Sequence, residues 1–148
     1  MSSIPTSTRI MSNGWAERGV VDAIKWEVLR VPDGTIICVE FEEGSKPGQG
    51  VWLASNRGIT VENQRSPQVV LWKDSAPREV ALTVHNTDSL LHFYNVWQSD
   101  AERNNVGSKS QSSAMRQERV PNGFRYSCND IGFNEPFDSL VFRVQLGA

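Results

Sequence analysis

Between Val80 and Trp97 the chain reads VALTVHNTDSLLHFYNVW, and its apolar residues fall largely on alternate positions. Alternation of this kind is the mark of a strand with one face on a core, because successive side chains point to opposite sides. The polar break in the middle predicts a β-hairpin turning at Asp88-Ser89. In that register Val84 faces Phe93, Leu82 faces Asn95 and Val80 faces Trp97, a largely apolar set. The opposite face then carries His85 across from His92 and Thr83 across from Tyr94. Directly opposed side chains have Cβ atoms about 4.5–5.5 Å apart, so the two histidines of the chain would share one spot.

The same period recurs elsewhere. Thr35–Glu42 places Ile37, Val39 and Phe41 on one face and Cys38, Glu40 and Glu42 on the other. Val20–Val31 alternates more loosely, with Ile24, Trp26 and Val28 against Lys25, Glu27 and Leu29, and a short helix over Val20–Ile24 as the competing local structure. Pro32-Asp33-Gly34 between these segments predicts a hairpin, since proline presets φ and glycine accepts a positive φ. Gly44–Gly50 predicts a flexible loop, Val51–Leu53 a short strand or loop anchor, and Asn56-Arg57-Gly58 a turn into a strand ending at Glu62. Pro67–Lys73 has the continuous apolar character of a buried strand. Met115–Val120 and Gly123–Cys128 predict strands joined at Pro121-Asn122-Gly123, and Ser139–Leu146 the last strand. Gln98–Ser113 is a long polar stretch without period, and loops of such length are often functional.

About eight or nine short strands separated by turn signals, with no amphipathic helix, predict an all-β fold. The expected architecture is a two-sheet antiparallel β-sandwich or jelly roll, with a β-barrel as the alternative. Residues 1–14, rich in Ser and Thr, form an extended or flexible arm, and residues 15–148 a single domain.

Composition narrows the functional classes. With 39% hydrophobic and 22% charged residues among 148, the chain is globular, and long enough for an adequate core. A net charge of −2 without basic runs argues against nucleic acid or an anionic membrane surface as partner. No segment has the length of a membrane span. The N-terminal MSSIPTSTRIMSNGW has no apolar core of a signal peptide, so a reducing, cytoplasmic setting is the default expectation, with Cys38 and Cys128 as free thiols.

The candidate chemistry falls into three groups. His85, His92 and Tyr94 are candidate catalytic residues, one imidazole as base and the phenol as donor or orienter, or as part of a metal site needing a third ligand. Trp15, Trp52, Trp97 and Tyr126 are candidate stacking residues for a sugar ring or another flat ligand. Asn129, Asp130, Asn134 and Asp138, with Glu135 between them, set oxygen ligands in a loop before a strand, which suits a hard cation such as calcium. Over about ten residues the stretch Phe137–Val144 resembles the tail of some bacterial calcium-associated β-sandwich domains, which end in D-x-D-F-N-D before a hydrophobic strand. The chain departs from that pattern at Pro136 and Ser139. The expectation is no cofactor, with calcium as the alternative; in the first case Asp130 and Asp138 cap turns and accept backbone N–H bonds.

The signatures G-x-S-x-G, H-E-x-x-H, the P-loop and G-x-G-x-x-G do not occur. The leading expectation is a non-enzymatic domain that binds a small polar or aromatic ligand, carbohydrate among them. The runner-up is a cofactor-independent enzyme (an isomerase, cyclase or hydrolase) using His85, His92 and Tyr94. A protein-interaction or self-assembly module, working as a homo-oligomer through an edge strand or the long loop, stands third.

Overall fold

The computed structural model of the protein describes residues 4–42, 46–98, 106–107, 112–133 and 137–147. The fold is all-β: strands β1 (Ile10–Met11), β2 (Ala23–Arg30), β3 (Ile36–Phe41), β4 (Gln49–Val61), β5 (Gln64–Trp72), β6 (Glu79–Val84), β7 (Leu90–Gln98), β8 (Val106–Gly107), β9 (Ala114–Val120), β10 (Gly123–Asn129) and β11 (Leu140–Leu146). One short helix, α1 (Asn13–Ala16), precedes β2, in place of the helix weighed for Val20–Ile24. Eight strands pair antiparallel in the order β2-β9-β10-β11-β3-β6-β4-β7, and β7 pairs back onto β2. The ring closes into a barrel, the alternative architecture; β1, β5 and β8 attach outside it. The β2–β7 pairing joins the two ends of the sheet, the usual reason for preferring a barrel to an open sheet.

The expected central hairpin does not form. β6 and β7 do not pair with each other; both lie on β4, which opposes Thr83 and Val84 with Thr60 and Ile59, and His92–Trp97 with Ala54–Gln49. They are successive halves of one long line of strand, interrupted at residues 85–89. The hairpin expected across Pro32–Gly34 fails in the same way. β2 pairs with β7 and β3 with β6, so Glu27 faces Phe93 and Ile36 faces Thr83. Hydrogen bonds carry the ladder through the interruption: Val31 N–H to Ser89 O at 2.9 Å, Gly34 N–H to Val84 O at 2.7 Å and Val84 N–H to Thr35 O at 2.9 Å.

The turn residues were real signals with another meaning. Gly34, Gly58 and Ser89 all have positive φ (84°, 95° and 60°), and all sit where the long lines of strand break. A left-handed residue can bend a strand as readily as reverse it; bends and bulges are how strands take barrel corners. At Gly58 a side chain is excluded as well, because a Cβ would stand 2.8 Å from Ser66 O. Polar side chains stitch the corner. Asn86 donates to Val31 O at 2.7 Å, and its own N–H reaches Asp33 Oδ1 at 2.9 Å. Asn56 and Thr87 exchange two bonds.

True reversals occur elsewhere. The β9–β10 hairpin turns at Pro121-Asn122 as expected, with Asn122 at φ 63°. β4 and β5 reverse at Glu62-Asn63, both at positive φ (50° and 68°), a two-residue hairpin of the primed type that no glycine announces. The N-terminal segment is extended and laid along β2. Thr6 bridges Leu29, Arg30 N–H donates to Pro5 O at 2.8 Å, and Ile4 is buried. The core holds Phe93, Tyr126 and Phe142 in mutual contact, with ring centroids 5.1–6.0 Å apart. Of the Gln98–Ser113 stretch, β8 pairs with the end of β7; residues 99–105 and 108–111 lie outside the described residues, as do 44 and 45 of the Gly44–Gly50 loop.

Candidate functional site

The outer face of the barrel carries an aromatic platform spread over β2, β7, β4 and β5. It begins with a bulge. Ile10 opposes Trp26 but Met11 opposes Ile24, which leaves Lys25 as an extra residue in β2. The bulge shifts the phase of the strand: Ile24, Glu27 and Leu29 are buried in the core, and Trp26 turns to the outside. The expectation that Ile24 and Trp26 share a face is therefore corrected. β7 alternates regularly, with Leu91 and Phe93 buried and His92 and Tyr94 half-buried on the outside. Across the β4–β7 ladder Trp52 lies directly opposite Tyr94, and across the β4–β5 ladder opposite Val70.

These registers bring four rings together. Trp52 stacks on Tyr94 with centroids 4.7 Å apart and planes inclined by 25°. Trp26 lies 5.0 Å from Tyr94 and 5.5 Å from Trp52. His92 stands edge-on to Trp26 at 6.0 Å, and its Nδ1 accepts the Trp26 Nε1–H at 3.0 Å. Because Nδ1 accepts, the proton of the neutral ring sits on Nε2. Trp52 Nε1–H donates to Gln68 Oε1 at 3.0 Å. Both indole N–H groups are thus held by polar neighbours, which fixes the ring planes while leaving the platform half-open to water.

Trp52, Tyr94 and His92 were candidates for two different sites and are united here; Trp26 joins them. No sequence signal marks Trp26, because its place depends on the bulge and on the β2–β7 pairing. The other stacking candidates are buried. Trp15 is 3% exposed, packs on Phe133 and Phe137, and donates its Nε1–H to Ser112 O at 2.7 Å. Trp97 is 6% exposed and Tyr126 fully buried. These three fill the interior and offer no face to a ligand from solvent.

The opposed histidine pair is likewise corrected. With β6 and β7 end to end, His85 lies in the corner and its Nε2 meets Thr60 Oγ1 at 2.7 Å, while His92 meets Trp26. The cation loop is engaged internally. Asp130 accepts from Ile131 N–H at 2.7 Å, Gln49 Nε2 at 3.0 Å, Ser139 Oγ at 3.1 Å and Lys46 Nζ at 3.3 Å. Burial pushes its carboxyl up, but the Ile131 and Ser139 hydrogen bonds and Lys46 outweigh that and hold it below the ordinary value. Asn129 Nδ2 donates to Ser112 O and Gly132 O at 2.9 and 2.6 Å. Asp138 is exposed, and Asn134 and Glu135 lie outside the described residues. Among the described residues no group of three His, Cys, Asp or Glu side chains is placed to hold a metal ion. Cys38 and Cys128 are free, on strands separated by β11.

A second polar cluster, unmarked in the sequence, lies inside the barrel. Glu27 is fully buried opposite Phe93. Arg9, on the N-terminal segment, clamps it with two bonds of 2.8 Å. Tyr126 O–H donates at 2.8 Å, Gln117 Nε2 at 3.0 Å and Val28 N–H at 3.0 Å. Burial raises the Glu27 carboxyl above its ordinary value, and Arg9 opposes the rise. The Tyr126 phenol is pushed up by burial and by the adjacent carboxylate. Through Arg9 the cluster fastens the N-terminal segment to the barrel.

No protein-family model matches the chain, and no curated protein or solved structure matches it. Among the described residues no helix is long and apolar enough to cross a membrane.

Proposed function

We propose that the protein is a non-enzymatic binding module that takes a carbohydrate on the outer aromatic platform. The observation that carries this reading is the half-open Trp52–Tyr94 stack with Trp26 beside it. The C–H face of a pyranose ring is apolar and flat, and an aromatic face answers it without demanding a deep pocket. Its hydroxyls need donors and acceptors at the rim. His92 supplies an Nε2–H, and the Gln68 amide, whose oxygen already accepts from Trp52, retains its N–H donors. Rigid rings whose polar edges are already bonded lose little entropy on binding.

The alternative, a cofactor-independent enzyme, would have to work with His92 and Tyr94 alone, because His85 meets Thr60 and His92 meets Trp26. The test is titration with oligosaccharides of glucose, xylose, mannose and N-acetylglucosamine, followed by tryptophan fluorescence and calorimetry. At least one should give a saturable change that Trp52→Ala abolishes and His85→Ala preserves. If none of the panel binds saturably at millimolar concentration, the proposal fails.

A further inference from the structure

The β4–β5 hairpin reverses at Glu62-Asn63, but β6 extends beyond it. β4 pairs with β6 at Thr83 and Val84, and no described strand covers that edge of β6 along residues 79–82. The gap is a groove of about 500 Å³. Its walls include Val61, Leu71, Trp72 and Val80, and two acidic side chains, Glu62 and Glu79, stand at it. The volume falls within the roughly 300–1,000 Å³ typical of small-molecule sites.

The charge at the groove is one-sided. Among the described residues no Lys or Arg lines it. Arg78, which precedes Glu79, turns to Glu40 at 3.6 Å. Among the described residues neither Glu62 nor Glu79 takes part in an ion pair. An apolar cleft with an indole wall and two carboxylates without internal cations complements one kind of molecule. That molecule has an apolar body to displace water, and an ammonium group to meet the carboxylates or the indole face.

We infer that this groove is a second binding site, separate from the aromatic platform, for a small hydrophobic amine. Trp72 is held as its wall by the backbone. It pairs with Gly50, where a Cβ would come within 2.8 Å of the indole, so the ring lies over a position only glycine leaves open.

The experiment is a titration of the isotope-labelled protein with phenethylamine, followed by amide and indole chemical shifts at neutral pH. Phenylacetate, of similar size and opposite charge, is the control. Saturable shifts at Glu62, Trp72 and Val80 are expected with the amine and not with the acid. The Glu62→Gln/Glu79→Gln double variant should bind severalfold, up to about tenfold, more weakly, the loss of two exposed charge contacts. The amine is titrated without saccharide and its shifts are mapped against those of Trp26 and Tyr94, so failure here is distinguishable from failure of the carbohydrate reading. The inference is overturned if the amine gives no saturable shifts or shifts that map elsewhere. Equal binding of phenylacetate, or unaltered binding by the double variant, overturns it too.

Discussion

Two clusters built from consecutive residues of the same two strands invert the usual partition of polar and apolar groups. Glu27 of β2 and Phe93 of β7 face each other inside the barrel, where the carboxylate gathers Arg9, Gln117 and Tyr126. One residue away on each strand, Trp26 and Tyr94 turn outward and meet Trp52. The interior holds a charge and the exterior a sheet of rings. The difference lies in what each arrangement tolerates. A buried carboxylate must have every lone pair answered, and five donors do so, which makes that cluster closed and structural. An outward aromatic face has no such demand. Its rings are only partly buried, and partly exposed rigid aromatic area suits a binding surface.

The largest expected effect separates the two by stability. Arg9→Ala leaves the buried Glu27 carboxylate without its cation, and should cost about 3–5 kcal/mol in urea unfolding at neutral pH, shrinking as the pH falls and the carboxyl takes up a proton. A loss under about 1 kcal/mol would mean that the N-terminal segment is not fastened by this pair. Trp52→Ala should do the converse. It should remove saccharide binding by at least about tenfold, while costing only about 1–2 kcal/mol of stability because the ring is half-open. If unfolding of Trp52→Ala resembles that of Arg9→Ala, the platform is a core element and not a surface.

Smaller effects sharpen the contrast. His92→Ala strips the acceptor from Trp26 Nε1–H, and should cost about 0.5–1 kcal/mol, with water replacing much of the bond. Saccharide affinity should fall severalfold as the Trp26 plane loosens, whereas His85→Ala should leave it alone; equal effects of the two would return weight to a joint role for the histidines. The smallest effect is in pH dependence. Glu42, held low first by its Arg125 hydrogen bond, and Asp130 contribute stability above their ordinary values that is lost as the pH falls. Glu27, raised by burial, works the other way: its contribution is present below the ordinary carboxyl value and is lost as the pH rises through its folded value. Glu27→Gln removes that opposing slope, so between those two values stability should climb more steeply with pH than in the parent protein. An unchanged slope in paired urea series would show that Glu27 does not titrate there.

The period-two pattern alone carried the all-β class, most strand positions, and the Pro121-Asn122-Gly123 hairpin, because alternation and local turn chemistry act over a few residues. The buried face of β3 followed from the same arithmetic. Partnership did not follow. Pro32-Asp33-Gly34 and Asp88-Ser89 specify backbone that leaves the strand direction, but a bend and a reversal need the same left-handed residue, and only the strand that arrives alongside decides between them. Here β4 runs past both halves of the β6–β7 line, so the histidines that a hairpin would oppose are parted. Phase is just as non-local: the bulge at Lys25, set by the N-terminal segment, sends Glu27 inward and Trp26 outward. Residue types and their local period were properties of the chain, whereas the closure of the ring determined which rings meet in the open and which charge lies buried, since those contacts join residues distant in sequence.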